Sequence, residues 1–281
     1  MRVRAAAATG VVLLSCSVLT DLGGLGADAG GTDAGDAAAF DATDAQPTPA
    51  FCGSALHGPQ MIDAGAYCID STEVTQGQYL EFLNAKKGDT SGQSGECASW
   101  NTAWASNCPA SFDPVSHADW PMIGVDWCDA RGYCEWAGKR LCGKLGGGGS
   151  VSGLPYQQSE WFDGCTNRND GLHKYPYGLT FDASACNGAD VDAGGPVAVG
   201  SMPGCQGGLP GLFDMLGNVE EWVDDCGDAS AQPETETCHL HGGEYVNSLA
   251  NTECTTVTDS VFRESAFCYA GIRCCASPAP K

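Results

Sequence analysis

Two stretches of the chain combine helical spacing of apolar positions with matching end signals. In STEVTQGQYLEFLNAKK (71–87), Tyr79, Phe82 and Leu83 share one face. Thr75 stands as N-cap with Gln78 three residues on, a capping box, and Val74 is placed to staple against Tyr79. Lys86 and Lys87 fall at the negative end of the helix. In DWCDARGYCEWAGKRL (126–141), Asp126 is the cap and Asp129 suits the positive first turn. Gly138 supplies the left-handed residue that ends the helix. Candidate strands are short: MIDAGAYCID (61–70), PVAVGSM (196–202) and FCYAGIRCCA (267–276). Gly, Pro, Asn and Asp interrupt almost every other apolar run. The pattern predicts an irregular α+β domain with little regular secondary structure. No period of about 20–50 residues repeats, which excludes a solenoid or propeller.

The first fifty residues follow different rules. Arg2 and Arg4 precede an apolar run from Ala5 to Leu14. That run is about ten residues, half of the roughly twenty that span a bilayer, so it reads as a secretory signal. Leu13-Leu14-Ser15-Cys16 resembles the lipobox of bacterial lipoproteins, which implies cleavage before Cys16 and a lipid on its sulfur. From there to Ala50 the chain is rich in Ala, Asp, Gly and Thr and cannot bury enough apolar area to order itself. Aspartates 21, 28, 33, 36, 41 and 44 repel one another along it. As a flexible coil it would span roughly 30–35 Å. The expected organisation is a lipoprotein signal (1–15), a disordered tether (16–50) and one folded domain (51–281). GKLGGGGSVSG (143–153) is expected as a surface loop.

Charge and cysteine usage narrow the function classes. With 35 acidic against 13 basic residues in 281, the formal charge is −22. Nucleic acid is excluded as a partner, because phosphate binding needs Lys and Arg to displace counterions. An anionic membrane face is equally poor, which leaves a lipid anchor as the only expected membrane contact. Seventeen cysteines point to an oxidising compartment, and setting Cys16 aside leaves sixteen, enough for eight disulfides. Cys128 and Cys134 lie about 240° apart around a helix, so they read as two separate staples. Adjacent Cys274 and Cys275 point to opposite faces and are expected to pair elsewhere. His239 and His241 would share a strand face, but an HxH without a third ligand reads as a turn beside a disulfide rather than a zinc site. Trp127, Trp136, Trp161 and Trp222 are expected in the core. Trp100, Trp104 and Trp120 lie in a long irregular stretch where an exposed aromatic ring is available to a ligand.

Several blocks occur in a telling order: CIDSTEVTQGQYLEFL (68–83), VDWCDARGYCEWAGKRL (125–141), EWFDGC (160–165), YPYG (175–178) and CNGAD (186–190). PVAVGS (196–201), GLFDMLGNVEEW (211–222), HGGEY (241–245) and AGIRC (270–274) continue it. Together they resemble the formylglycine-generating enzyme family, the sulfatase-modifying factors, across nearly all of 60–276. The resemblance implies a C-type-lectin-like fold. It also implies an oxidase that converts a sulfatase cysteine to formylglycine with oxygen and copper(I) held by two thiolates.

The chain departs from that pattern where the copper would bind. The oxidases carry a cysteine two residues after the block matching HGGEY and another five residues on; here those positions are Asn247 and Thr252. Amide and hydroxyl oxygens are poor ligands for soft copper(I). The nearest cysteine, Cys254, is expected in a disulfide, and the family's arginine is replaced by His241. Copper is therefore not expected. The family's calcium sites carry over better. The resemblance places one at the side chains of Asp214 and Glu221 with the carbonyls of Gly217 and Val219. It places a second at the Asn187 side chain and the Gly188 carbonyl, with Asp190 or Asp192 as further candidates. Calcium takes six to eight hard oxygens of this mixed kind. The expected function is a membrane-tethered, calcium-stabilised binding module for a peptide, glycan or protein ligand, with no catalytic residue. The alternative is an active family oxidoreductase.

Overall fold

A computed structural model describes residues 52–53, 56–227 and 232–279. The signal segment, Cys16 and the tether lie outside the described residues. Among the described residues, no helix is long and apolar enough to cross a membrane.

Local signals set the main helices as the sequence predicts. Helix α1 (Gln76–Lys86) starts at Thr75, whose hydroxyl accepts from the Gln78 N–H while the Gln78 side chain accepts from the Thr75 N–H. Its C-cap, Lys87, is left-handed at φ 51°. After the short α2 (Gly95–Ala98), α3 (Trp127–Trp136) begins at Asp126, whose carboxylate accepts from the Asp129 N–H at 2.8 Å. Gly138 follows at φ 77°. Helix α4 (Glu160–Cys165) is capped by Ser159. Val74, Tyr79 and Phe82 are buried with Tyr133 of α3 in the largest core cluster.

The strands form two four-stranded sheets. Strands β1 (Met61–Asp63), β2 (Cys68–Asp70), β8 (Cys274–Ala276) and β3 (Arg140–Leu141) make the first, in the order β1-β2-β8-β3 and antiparallel throughout. The second runs β6 (Val257–Phe262), β5 (Thr237–His241), β4 (Glu220–Cys226) and β7 (Ala270–Ile272); β4 and β7 are parallel, the other pairs antiparallel. Two predicted strands are thus divided. MIDAGAYCID is a hairpin, turned by Gly65 at φ 84° with its N–H on the Asp63 carboxylate. FCYAGIRCCA gives β7 to one sheet and β8 to the other, with Arg273 at the junction. PVAVGSM is not a strand. Its backbone donors are taken by single acceptors: Val197 by the Asn218 side chain, Val199 by the Asp119 carbonyl and Gly200 by Asp214.

All sixteen cysteines of the described residues are paired in eight disulfides, the chemistry of an oxidising compartment. Cys128 and Cys134 go to different partners, Cys97 and Cys274, and Cys275 pairs with Cys142. The bridges Cys108–Cys268, Cys134–Cys274 and Cys142–Cys275 span 160, 140 and 133 residues and pin the C-terminal segment to the rest. In the chain-entropy picture one such loop is worth about 4–5 kcal/mol, and nested loops share that gain. Trp127, Trp161 and Trp222 are buried as expected, while Trp136 is half-buried and stacks on His57. Trp104 corrects the expectation of an exposed ring: it is 4% exposed, packs on Phe82 and donates to the Asp89 carbonyl.

Candidate functional site

The turn 214–219 is held by left-handed residues, with Asp214 at φ 58°, Gly217 at φ 74° and Asn218 at φ 61°. Asp, Asn and Gly are the residue types that adopt this conformation at low cost. A Cβ at Gly217 would stand 2.5 Å from the Asn187 carbonyl oxygen, so only glycine lets the two segments meet. They are joined by backbone hydrogen bonds: Asn218 donates to the Asn187 carbonyl at 2.7 Å and Gly217 to Gly242 at 2.8 Å. Ala189 donates in turn to the Asn247 carbonyl at 3.0 Å. The predicted segments 187–188, 214–221 and 241–252 therefore lie together.

Asn218 is the hub, and sequence reasoning missed it. Its Oδ1 accepts from Asn187 and from the Val197 N–H, and its Nδ2 donates to Glu73 Oε1 at 2.9 Å. Buried Glu73 was also missed, although both residues sit inside the blocks quoted above. So was Arg273, fully buried at the junction of the two sheets. Arg273 holds both oxygens of Glu221 from its Nε at 2.9 Å, and its other nitrogens reach the carbonyls of Asp70 and Phe213. Trp161 Nε1 donates to Glu221 Oε2 at 2.7 Å. Both oxygens of Glu221 are thus engaged, and Asp214 accepts from the Gly200 N–H. The Oε2 of Glu73 and the Oδ1 of Asn187 are sealed from water with no donor.

Three buried carboxyls, Glu73, Asp214 and Glu221, face the single guanidinium of Arg273. Burial, then the Asp214 charge, pushes Glu73 well above the usual carboxylate range. Burial also raises Asp214, against the pull of the Gly200 N–H and Arg273. Burial opposes the charge of Arg273, but Glu221 outweighs it and keeps the guanidinium protonated.

The positions expected for copper ligands hold no thiolate. Asn247 is exposed and donates to Glu244 Oε1 at 3.0 Å, while Thr252 is buried against Gly243. Cys254 is bonded to Cys165. His241 is buried over Trp161, with ring centroids 4.9 Å apart, and burial pushes it down to about 4. His239 is paired instead with Asp225 at 2.8 Å. Among the described residues, no three His, Cys, Asp or Glu side chains converge closely enough to hold a metal ion, these histidines included. Asp190 and Asp192 are exposed; Asp190 accepts from Ser248.

Known proteins share this architecture. The chain is 25% identical to mouse formylglycine-generating enzyme over 205 residues, which covers 59% of the chain and 50% of the mouse protein. It is 32% identical to bovine inactive C-alpha-formylglycine-generating enzyme 2 over 115 residues, covering 37% of the chain and 33% of that protein. The chain thus matches half or less of these relatives' lengths. The crystal structure of CarF superposes with a TM-score of 0.51 at 19% identity, covering 80% of the chain and 97% of CarF, which fixes the fold. Residues 30–278 match the sulfatase-modifying factor enzyme 1-like domain, and the chain belongs to that family.

Proposed function

We propose that this chain is a binding module of the sulfatase-modifying factor family, tethered to the bacterial cell envelope through Cys16, stabilised by calcium and without the family's copper oxidase chemistry. The observation that carries the proposal is the fate of the thiols. Asn247 and Thr252 occupy the expected ligand positions, and all sixteen cysteines of the described residues are in disulfides. A disulfide sulfur is not a thiolate, and copper(I) selects thiolates. The residues present do not fit copper. That a relative is named an inactive formylglycine-generating enzyme supports the same direction.

Calcium has partial support in the buried polar atoms. Asn187 Oδ1 and Glu73 Oε2 lack donors, and three buried carboxyls share one guanidinium. Asp214, the Asn187 side chain and the carbonyls of Gly188, Gly217 and Val219 are the residues that would hold the ion; it would supply structural charge only. Glu221 would have to share its oxygens with Arg273 and Trp161. The ligand of the module is a peptide, glycan or protein. The test is incubation of the Cys16→Ser full-length chain with copper(I), oxygen and a cysteine-containing sulfatase peptide. No peptide aldehyde is expected by mass spectrometry; aldehyde formed in multiple turnovers would establish the oxidase instead.

A further inference from the structure

Among the described residues, Glu220 and Asp259 of the second sheet, and Glu244 in the turn after β5, lack a basic counter-charge. Glu220 on β4 lies beside Ala270 of β7, and Asp259 on β6 lies opposite Leu240 of β5, itself opposite Trp222. Directly opposed residues share a sheet face, as do residues two apart in one strand, so the register brings Glu220 and Asp259 to the same side. Glu244 follows β5 in the turn that carries Asn247. Asp259 and Glu244 are charged neighbours of Glu220, and Asp259 is likewise a neighbour of Glu244. Among the described residues, none of the three acids is paired with Lys or Arg.

A second observation separates this group from a solvated acidic face. Glu220 and Glu244 are only 3% and 6% exposed, and the Oε2 atom of each is sealed from water with no hydrogen-bond donor. Their other contacts are these: the Glu220 carboxyl is hydrogen-bonded to the Thr258 side chain, Glu244 Oε1 accepts from Asn247 at 3.0 Å, and Asp259 accepts from the Tyr269 hydroxyl at 3.0 Å. Two buried carboxylate oxygens without donors are costly unless a cation shares them.

The spacing discriminates between cations. Among the described residues, no three acidic, His or Cys side chains close on a point where a metal ion would sit. A larger cation with several N–H donors fits better: an ammonium offers three and a guanidinium five. The rim is half-buried and aromatic, with Tyr245 and with Tyr269 stacked on Phe267 at 5.1 Å, faces that attract organic cations.

We propose that Glu220, Glu244 and Asp259 form a site for an organic cation, an alkylammonium or guanidinium group of a free amine or of a Lys or Arg side chain on a partner. The site names a ligand chemistry for the binding module and rests on that reading. The test uses copper-free, full-length Cys16→Ser protein, titrated calorimetrically with putrescine, agmatine, and the N-acetyl amides of lysine and arginine. Saturable binding that weakens with added salt is expected. Glu220→Gln should weaken it about tenfold or more, and Glu244→Gln should do the same. A purely structural Glu220 would instead lower the melting temperature and leave affinity unchanged. Binding confined to the free amines assigns a small-molecule ligand, and binding confined to the amides assigns a protein or peptide. No saturable binding by any of the four, or binding indifferent to both variants, overturns the site. That failure is distinct from failure of the module itself, which is read as aldehyde in the copper assay.

Discussion

Arg273 is where the two sheets and the buried acids depend on one side chain, and Arg273→Leu isolates its contribution. The substitution keeps comparable apolar volume at the junction but removes every nitrogen that faces Glu221, Asp70 and Phe213. Glu221 is left as a buried carboxylate with only the Trp161 N–H, beside Glu73 and Asp214. Removing one partner of a buried ion pair costs about 3–5 kcal/mol. At about 2–4 °C per kcal/mol for a domain of this size, the melting temperature should fall by about 6–20 °C. Calorimetry or circular dichroism at pH 7, with disulfides intact, reads that fall. A fall under about 2 °C would refute the assignment of Arg273 as the electrostatic keystone.

Two further outcomes follow from other parts of the chain. Glu220, pushed up to about 8, binds a proton in the fold that the unfolded chain has released, so its contribution to stability is lost as pH rises toward 8. His241, pushed down to about 4, works the other way below its ordinary value, losing stability as pH falls. Between pH 6.5 and 8 only Glu220 of this pair titrates, so Glu220→Gln should flatten the decline in melting temperature there; an unchanged profile would place the titration elsewhere. Cys16→Ser should move the protein from the membrane to the soluble fraction on cell fractionation, and persistent membrane association would remove the lipid anchor from the account.

What the sequence made legible was local. The Thr75 capping box, the Asp126 cap and Gly138 are encoded within three or four residues or at a single residue, and each appears as expected. The family blocks located the convergent turn 214–219 as well. Long-range partners were not legible. Arg273 meets Glu221 across 52 residues, and no spacing rule announces that a buried arginine will claim a carboxylate set aside for calcium. Disulfide parity predicted eight bridges, but not that Cys134 would choose Cys274 across 140 residues. PVAVGSM failed because apolar alternation cannot show that the side chains of Asn218 and Asp214 will capture backbone donors a strand needs. Glu220 and Glu244 read as ordinary acids in an acidic chain until strand register placed Glu220 on the same sheet face as Asp259 and burial hid two of their oxygens.

The most direct test of a calcium-stabilised module without copper chemistry is elemental analysis of the full-length Cys16→Ser chain, exported through an oxidising compartment supplied with both metals. Calcium near one or two ions per chain with copper at background is the expected result. Stoichiometric copper would contradict it, because it would require soft-metal ligation at a site where Asn247, Thr252 and the disulfide-bonded Cys254 offer no thiolate.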